Sequence, residues 1–261
     1  MRVLVTFAVD AEFAPWRKRH GFQRREVTVP NHQGSADIVY SAKIGSSNVD
    51  VYLTGIGLPS HGPGLYSLLS GKPHILISSG LAGGLNASLK TGDIVVARSL
   101  ALVEGGDKIN SKRKLVEIAE QCQARAVDLF LTSRRIVSQS QYKKSMANFG
   151  DVVEMESYHV LSRASGTQVA SIAIRAISDT QEEDLPLDFE KAIEPWGRVN
   201  PRQLVLQIVR YPHRIPSLIR FGRSCESATE KLADFLDTYL EAVAAVSPQW
   251  FDGSAERMAA V

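Results

Sequence analysis

Short β-branched runs recur along this chain, and their spacing constrains the fold more than any other feature. RVLVTFAV (2–9), DIVYSAKI (37–44), VDVYLTGIG (49–57), HILISSG (74–80), GDIVVARSLALV (92–103) and QVASIAIRAIS (168–178) read as strands. Helical patterns at 60–71, 141–149 and 154–165 lie between several of them. Strand–helix alternation predicts an α/β chain, a three-layer α/β/α single domain around a central mixed sheet. The adjoining runs at 37–57 predict a hairpin, which makes the sheet mixed rather than wholly parallel. Ligands of such sheets bind at the carboxyl ends of strands.

A length of 261 residues suits one large α/β domain or two small ones, and residues 1–246 read as one. The segment 184–222 differs in character: it holds five prolines and many apolar residues, with a short helix PRQLVLQIVR opened by Pro201. Pro212 and Pro216 break the pattern after it, so the segment reads as an insertion or lid. Leu232, Phe235, Leu236, Tyr239 and Leu240 then mark a terminal helix over 224–246, and 247–261 reads as a frayed tail. The formal net charge of +2 points to no polyanionic partner, and the basic triplets KRK (112–114) and RKR (17–19) read as solvated faces, so no nucleic acid is expected. The apolar run before Asp10 is too short for a signal peptide or a span, and two isolated cysteines suggest no disulfide framework. A cytoplasmic protein without stable membrane insertion is therefore expected. The six histidines show no metal-ligand spacing, and no metal is expected.

Four stretches carry candidate chemistry. SSGLAGGLNASLKTGD (78–93) ends a strand in glycines that let backbone approach a ligand, although a plain glycine-rich turn reads the same way. Its KTG (90–92) also occurs in β-lactamases, but here the S-x-x-K matches, at Ser111 and Ser140, follow KTG instead of preceding it, which excludes that reading. VVEMES (152–157) places Glu154 and Glu156 at the start of a predicted helix, where the dipole alone would favour acids. DAEF (10–13) follows the first strand, where Glu12 can be a solvated first-turn acid. RAISD ends the apolar run QVASIAIRAI with Arg175, Ser178 and Asp179, and charge at the end of a buried strand is costly unless paired or used.

In this order and at these spacings, GLAGGLNASLKTGDIVVA, VVEMES and RAISD resemble the nucleoside phosphorylase and nucleosidase superfamily, including the methylthioadenosine/S-adenosylhomocysteine nucleosidases. The resemblance covers about residues 1–182 and the terminal helix. It implies a nucleoside phosphorylase-like fold, a small-molecule purine nucleoside as substrate, no cofactor (phosphate being a co-substrate if the chain is a phosphorylase), and a homodimer or larger homo-oligomer. It also implies roles. Asp179 matches the acid that protonates purine N7, which needs a carboxyl pKa raised by burial, and Ser178 is placed to orient it. Glu156 matches the acid that grips the ribose hydroxyls, with Met155 packed on the sugar. Ala82 and Gly83 match backbone beside the nucleoside, and Leu131, within Phe130–Thr132, falls where the family stacks the base.

Glu12 and Arg175 match the pair that holds and activates water in the nucleosidases. Leu81 stands where the family often has a serine or threonine contacting water or phosphate, and a second basic group for phosphate is not evident. Hydrolysis is the expected reaction. A narrower resemblance links the loop with Leu81, the stretch 131–160 and the proline-rich insertion to the phosphorylase-like proteins of hopanoid biosynthesis, which implies an adenosylated lipid as alternative substrate. A non-catalytic nucleoside-binding protein is the third reading, disfavoured by the intact Asp179, Glu156 and Glu12.

Overall fold

The structure, a computed structural model, describes residues 1–28, 36–57, 63–192 and 200–246. The chain runs β1 (Arg2–Phe7), α1 (Asp10–His20), β2 (Gln23–Thr28), β3 (Ala36–Ile44), β4 (Ser47–Leu53), α2 (Pro63–Ser70), β5 (Ile75–Gly84), β6 (Ile94–Leu102), β7 (Ile109–Asn110), α3 (Arg113–Gln121), β8 (Arg125–Thr132), α4 (Ser140–Met146), β9 (Val152–Glu154), α5 (Ser157–Ala164), β10 (Ala170–Asp179), α6 (Pro201–Arg210) and α7 (Ile215–Ala245). All ten strands join one mixed sheet in the order β10-β6-β8-β9-β5-β1-β4-β3-β2, with β7 beside β6. Because β5 also pairs with β10, the strands β5, β10, β6, β8 and β9 close on themselves, and β1 to β4 extend from β5 as an open wing. The mixed sheet, the β3–β4 hairpin and the α/β class are as the sequence predicts.

The sheet is covered on both faces. On one, Leu232, Phe235, Leu236, Tyr239, Leu240 and Val243 repeat at helical spacing along α7 and pack with Trp16, Phe13 and the α3 residues Leu115, Val116 and Ile118 against Ile172, Ile174 and Ala176 of β10. The Tyr239 hydroxyl donates to the Leu115 carbonyl at 3.1 Å, so this buried phenol is satisfied. On the other face, Leu65 and Leu69 of α2 and Val160, Leu161 and Ala164 of α5 cover Leu4, Leu76, Ala173 and Ile177.

Several boundaries differ from the sequence reading. The terminal helix begins at Ile215, not 224, because Pro216 falls in its first turn, where a missing N–H costs nothing. Its first turns therefore belong to the segment read as an insertion. β2, β7 and α3 answer to no element of the sequence reading, and β8 answers only to the match at Phe130–Thr132. VVE is a strand, β9, and the helix starts only at Ser157. The tail 247–261 lies outside the described residues.

β1, β5 and β10 run parallel, so their carboxyl ends lie side by side. The β10–β5 register shifts between Ile177 and Asp179. A bulge there re-aims side chains at the strand end, and Ser178 and Asp179 both reach the same cavity despite being neighbours in sequence.

Leu236 is fully buried under β10, whereas Val209 is 74% exposed. Leu236→Ala should cost about 2–5 kcal/mol, and Val209→Ala less than about 0.5 kcal/mol, in urea unfolding followed by circular dichroism. Equal losses would contradict the assignment of α7 as the main cover of the sheet.

Candidate active site

A cavity of about 250 Å³ opens at the carboxyl ends of these strands. Ala8, Val9 and Glu12 line it from beyond β1, Leu81 to Gly83 from β5, Glu154 to Glu156 from the β9–α5 junction, and Ser178 and Asp179 from β10. Ile136, Val137, Leu185, Phe189, Phe221 and Cys225 make an apolar wall. Two glycines permit the close approach of backbone and acid: a Cβ at Gly80, whose φ is +145°, would lie 2.9 Å from Glu12 Oε1, and one at Gly83 would lie 3.2 Å from Asp179 Oδ2.

Glu12 sits in the first turn of α1, its carboxyl accepting from the backbone N–H of Leu81 at 2.9 Å and of Ala8 at 3.0 Å. It is not a solvated surface acid. Burial raises its pKa above the ordinary value, against the lowering by these N–H groups and by Arg175. Leu81 thus serves the site twice, with its side chain in the wall and its N–H on Glu12.

The two acids of VVEMES part company. Glu154 accepts from Ser157 N at 2.7 Å and Glu156 N at 3.0 Å, satisfying the exposed N–H groups at the start of α5. It also takes the Thr132 hydroxyl and, at 2.7 Å, Arg175 Nη2. Burial alone would raise its pKa, but Arg175 and these donors hold it below the ordinary value. Glu156 instead accepts from Gly57 N at 3.1 Å and stands farther from the guanidinium, 3.7 Å. Burial, with the negative Glu154 beside it, pushes Glu156 up to about 8.

Arg175 departs from the sequence expectation. Its side chain is 1% exposed and does not line the cavity. Besides Glu154 it reaches Ser78 Oγ at 3.3 Å and the Ile174 carbonyl at 3.1 Å. With Glu154 holding its guanidinium, it acts on Glu12 only through its charge. Leu131 departs too: it packs with Leu85, Ala101, Val137 and Met146 behind the wall, and Ile136, Val137 and Val153 take its place at the cavity. Met155, Glu156, Ala82, Gly83, Leu81, Ser178, Asp179 and Glu12 come together around the one cavity.

Asp179 carries the largest surprise. Ser178 Oγ donates to its Oδ1 at 2.6 Å, as expected, but Oδ2 takes an ion pair from Lys143 of α4. Lys143 is fully buried, with further bonds to the carbonyls of Glu183 (2.7 Å) and Thr180 (3.1 Å). Burial still raises the Asp179 pKa above the ordinary value, against Lys143 and Ser178. Lys143 is the last residue of the S-x-x-K match at Ser140. Its position three residues before the buried Met146 puts it on the inner face of α4, but Lys144 beside it hides that signal.

The proline-rich segment meets the cavity through Leu185, Phe189 and Phe221, the last of them on α7 with its ring centroid 5.6 Å from that of Phe189. Its helix α6 does not face the cavity; Val205, Leu206 and Val209 point outward. Trp196 lies outside the described residues.

Comparison with known proteins accords with this geometry. Over 200 residues the chain is 26% identical to a 5′-methylthioadenosine/S-adenosylhomocysteine nucleosidase of Glaesserella parasuis, covering 66% of this chain and 84% of that protein. The crystal structure of the same kind of nucleosidase from Campylobacter jejuni superposes with a TM-score of 0.67 at 17% identity, over 92% of this chain and 99% of that one. Futalosine hydrolase of Helicobacter pylori gives 0.68 at 16%, over 92% and 97%. The model of one family, described as the phosphorylase superfamily, matches residues 2–210, and to that superfamily the chain belongs.

Proposed function

We propose that the protein hydrolyses the N-glycosidic bond of a purine nucleoside that carries an apolar 5′ substituent. The observation that carries this reading is the buried Asp179 carboxyl, raised in pKa and held by Ser178, at the edge of a cavity that also holds Glu12 and Glu156. A protonated Asp179 gives its proton to purine N7 as the C1′–N9 bond breaks and its electron pair passes to the base. Water adds to C1′ of the cationic sugar and loses a proton to ionised Glu12, whose pKa burial raises above the ordinary value. Glu156 and Met155 receive the ribose. Ile136, Val137, Leu185, Phe189 and Phe221 receive the 5′ arm.

Water as nucleophile is supported by the charge balance. The buried cations Arg175 and Lys143 are each already paired with a carboxylate, and a phosphate dianion beside ionised Glu12 would be repelled. Phosphorolysis of an adenosylated lipid is the second reading. The apolar wall favours the lipid arm, and Arg135, which lines the cavity 3.7 Å from Glu190, is the cation that would favour phosphate. Incubation with adenosine, methylthioadenosine and bulkier 5′-alkylthio adenosines, with and without phosphate, tests both. Free adenine and free sugar in phosphate buffer, at rates rising with the apolar bulk of the 5′ group, are expected. A sugar 1-phosphate would replace water by phosphate, and no cleavage of any nucleoside would remove the reading altogether.

Asp179→Asn should lower kcat by about 10²–10⁴. Because the donor must be protonated, wild-type activity should fall as pH rises through a pKa above the ordinary Asp range. Lys143 favours ionised Asp179, so Lys143→Met should raise that pKa further and move the alkaline limb to higher pH, with a smaller loss of kcat. A limb that stays in place would mean that Lys143 holds structure and does not tune the acid.

A further inference from the structure

Of the ten large apolar side chains exposed among the described residues, six lie between 205 and 219: Val205, Leu206, Val209, Tyr211, Ile215 and Ile219. Arg202, Val205, Leu206, Val209 and Arg210 follow the i, i+3, i+4, i+7, i+8 spacing of one helix face. The other side of α6 is fixed to the body of the protein: Gln207 accepts from Asp188 N at 2.9 Å and donates to the Asp188 carbonyl at 2.8 Å. The apolar stripe is therefore held facing outward. Ile215 and Ile219 continue it one turn apart at the start of α7, and the guanidinium groups of Arg210 and Arg214 lie 5.8 and 5.1 Å from the centre of the Tyr211 ring between the two helices.

The charge around this surface has one sign. Residues 200–225 hold five arginines and a histidine and no acid. The acids of the preceding turn are paired elsewhere, Asp188 with Lys191 at 2.8 Å and Glu190 with Arg135 at 3.7 Å. Arg220 shares a hollow with Glu182, Glu183 and Asp184, and Arg202, Arg210 and Arg214 carry the basic character of this face. A second copy of the same face would set the arginines of one copy against those of the other, which like charges disfavour. A basic rim around an apolar stripe on an outward helix is the pattern of a helix lying in a membrane interface. Among the described residues no helix is long and apolar enough to cross a membrane.

We propose that α6 and the first turn of α7 dock this protein reversibly on bilayers with anionic headgroups. The same α7 carries Phe221 and Cys225 into the cavity wall, so the docking face and the cavity wall share one helix. The inference rests on the surface alone and not on the identity of the substrate.

Co-sedimentation of the full chain with vesicles of phosphatidylcholine mixed with phosphatidylglycerol, and of phosphatidylcholine alone, tests it, with light scattering of the free protein alongside. Binding to the mixed vesicles only, weakened by salt, is expected. An arginine near an anionic surface is worth about fivefold in affinity, so the double variant Arg202→Gln, Arg210→Gln should bind about thirtyfold more weakly. Leu206→Ser with Val209→Ser should also lose binding while leaving the molecular mass unchanged. Absence of vesicle binding, or variants that bind as wild type does, would overturn the proposal. So would a fall in mass for the serine variant, which would identify the face as a contact between copies of the chain.

Discussion

The ion pair between Arg175 and Glu154 is the constraint around which the site is arranged. A guanidinium in the middle of a central strand, 1% exposed, must find its charge and hydrogen bonds inside the protein. Glu154 supplies the charge at 2.7 Å and spends its remaining acceptor capacity on the start of α5 and on Thr132 of β8. One carboxylate therefore ties β10, β8 and α5 together at the floor of the cavity. Removing either partner of such a pair leaves an uncompensated buried charge, at a cost of about 3–5 kcal/mol.

That pair also decides how the other acids behave. Arg175 neutralises Glu154, its nearest partner, and leaves Glu156 and Glu12 only partly compensated. Burial then raises both, and a fixed negative charge beside Glu156 adds to the effect there. Asp179, on the far side of the purine edge as proposed, has its own cation in Lys143 and is raised by burial all the same. Acids brought by three segments of the chain thus acquire different tendencies to hold a proton, and such separation is what acid and base roles in one site require.

Much of this was legible in the residues. Strands with continuous β-branched runs are buried on both faces, so composition alone reveals them, and the acids Glu12, Glu156 and Asp179 sit in motifs with a recognisable order. What was not legible has physical reasons. β2 reads QRREVT because it is the edge of the sheet and Gln23 to Glu26 are all exposed, and α1 contains Pro15 and charged residues that blur its apolar stripe. Arg175 was recognised as a site residue, but which acid it would choose depends on the β9–α5 junction, and no spacing encodes that. Lys143 lies 36 residues from Asp179, on a helix whose adjacent lysine is solvated, so only the fold distinguishes the buried one.

The central claim is that Arg175 fixes Glu154 as the ionised acid and leaves Glu156 protonated near neutrality. Carboxyl carbon NMR of the glutamate-labelled protein, titrated with pH, measures this directly, with Glu156→Gln and Glu154→Gln to assign the two signals. The account predicts that the Glu156 signal titrates near 8, while Glu154 stays ionised at and below its ordinary value of 4.5. A Glu156 signal titrating in the ordinary carboxylate range, with Glu154 taking up the proton instead, would contradict it.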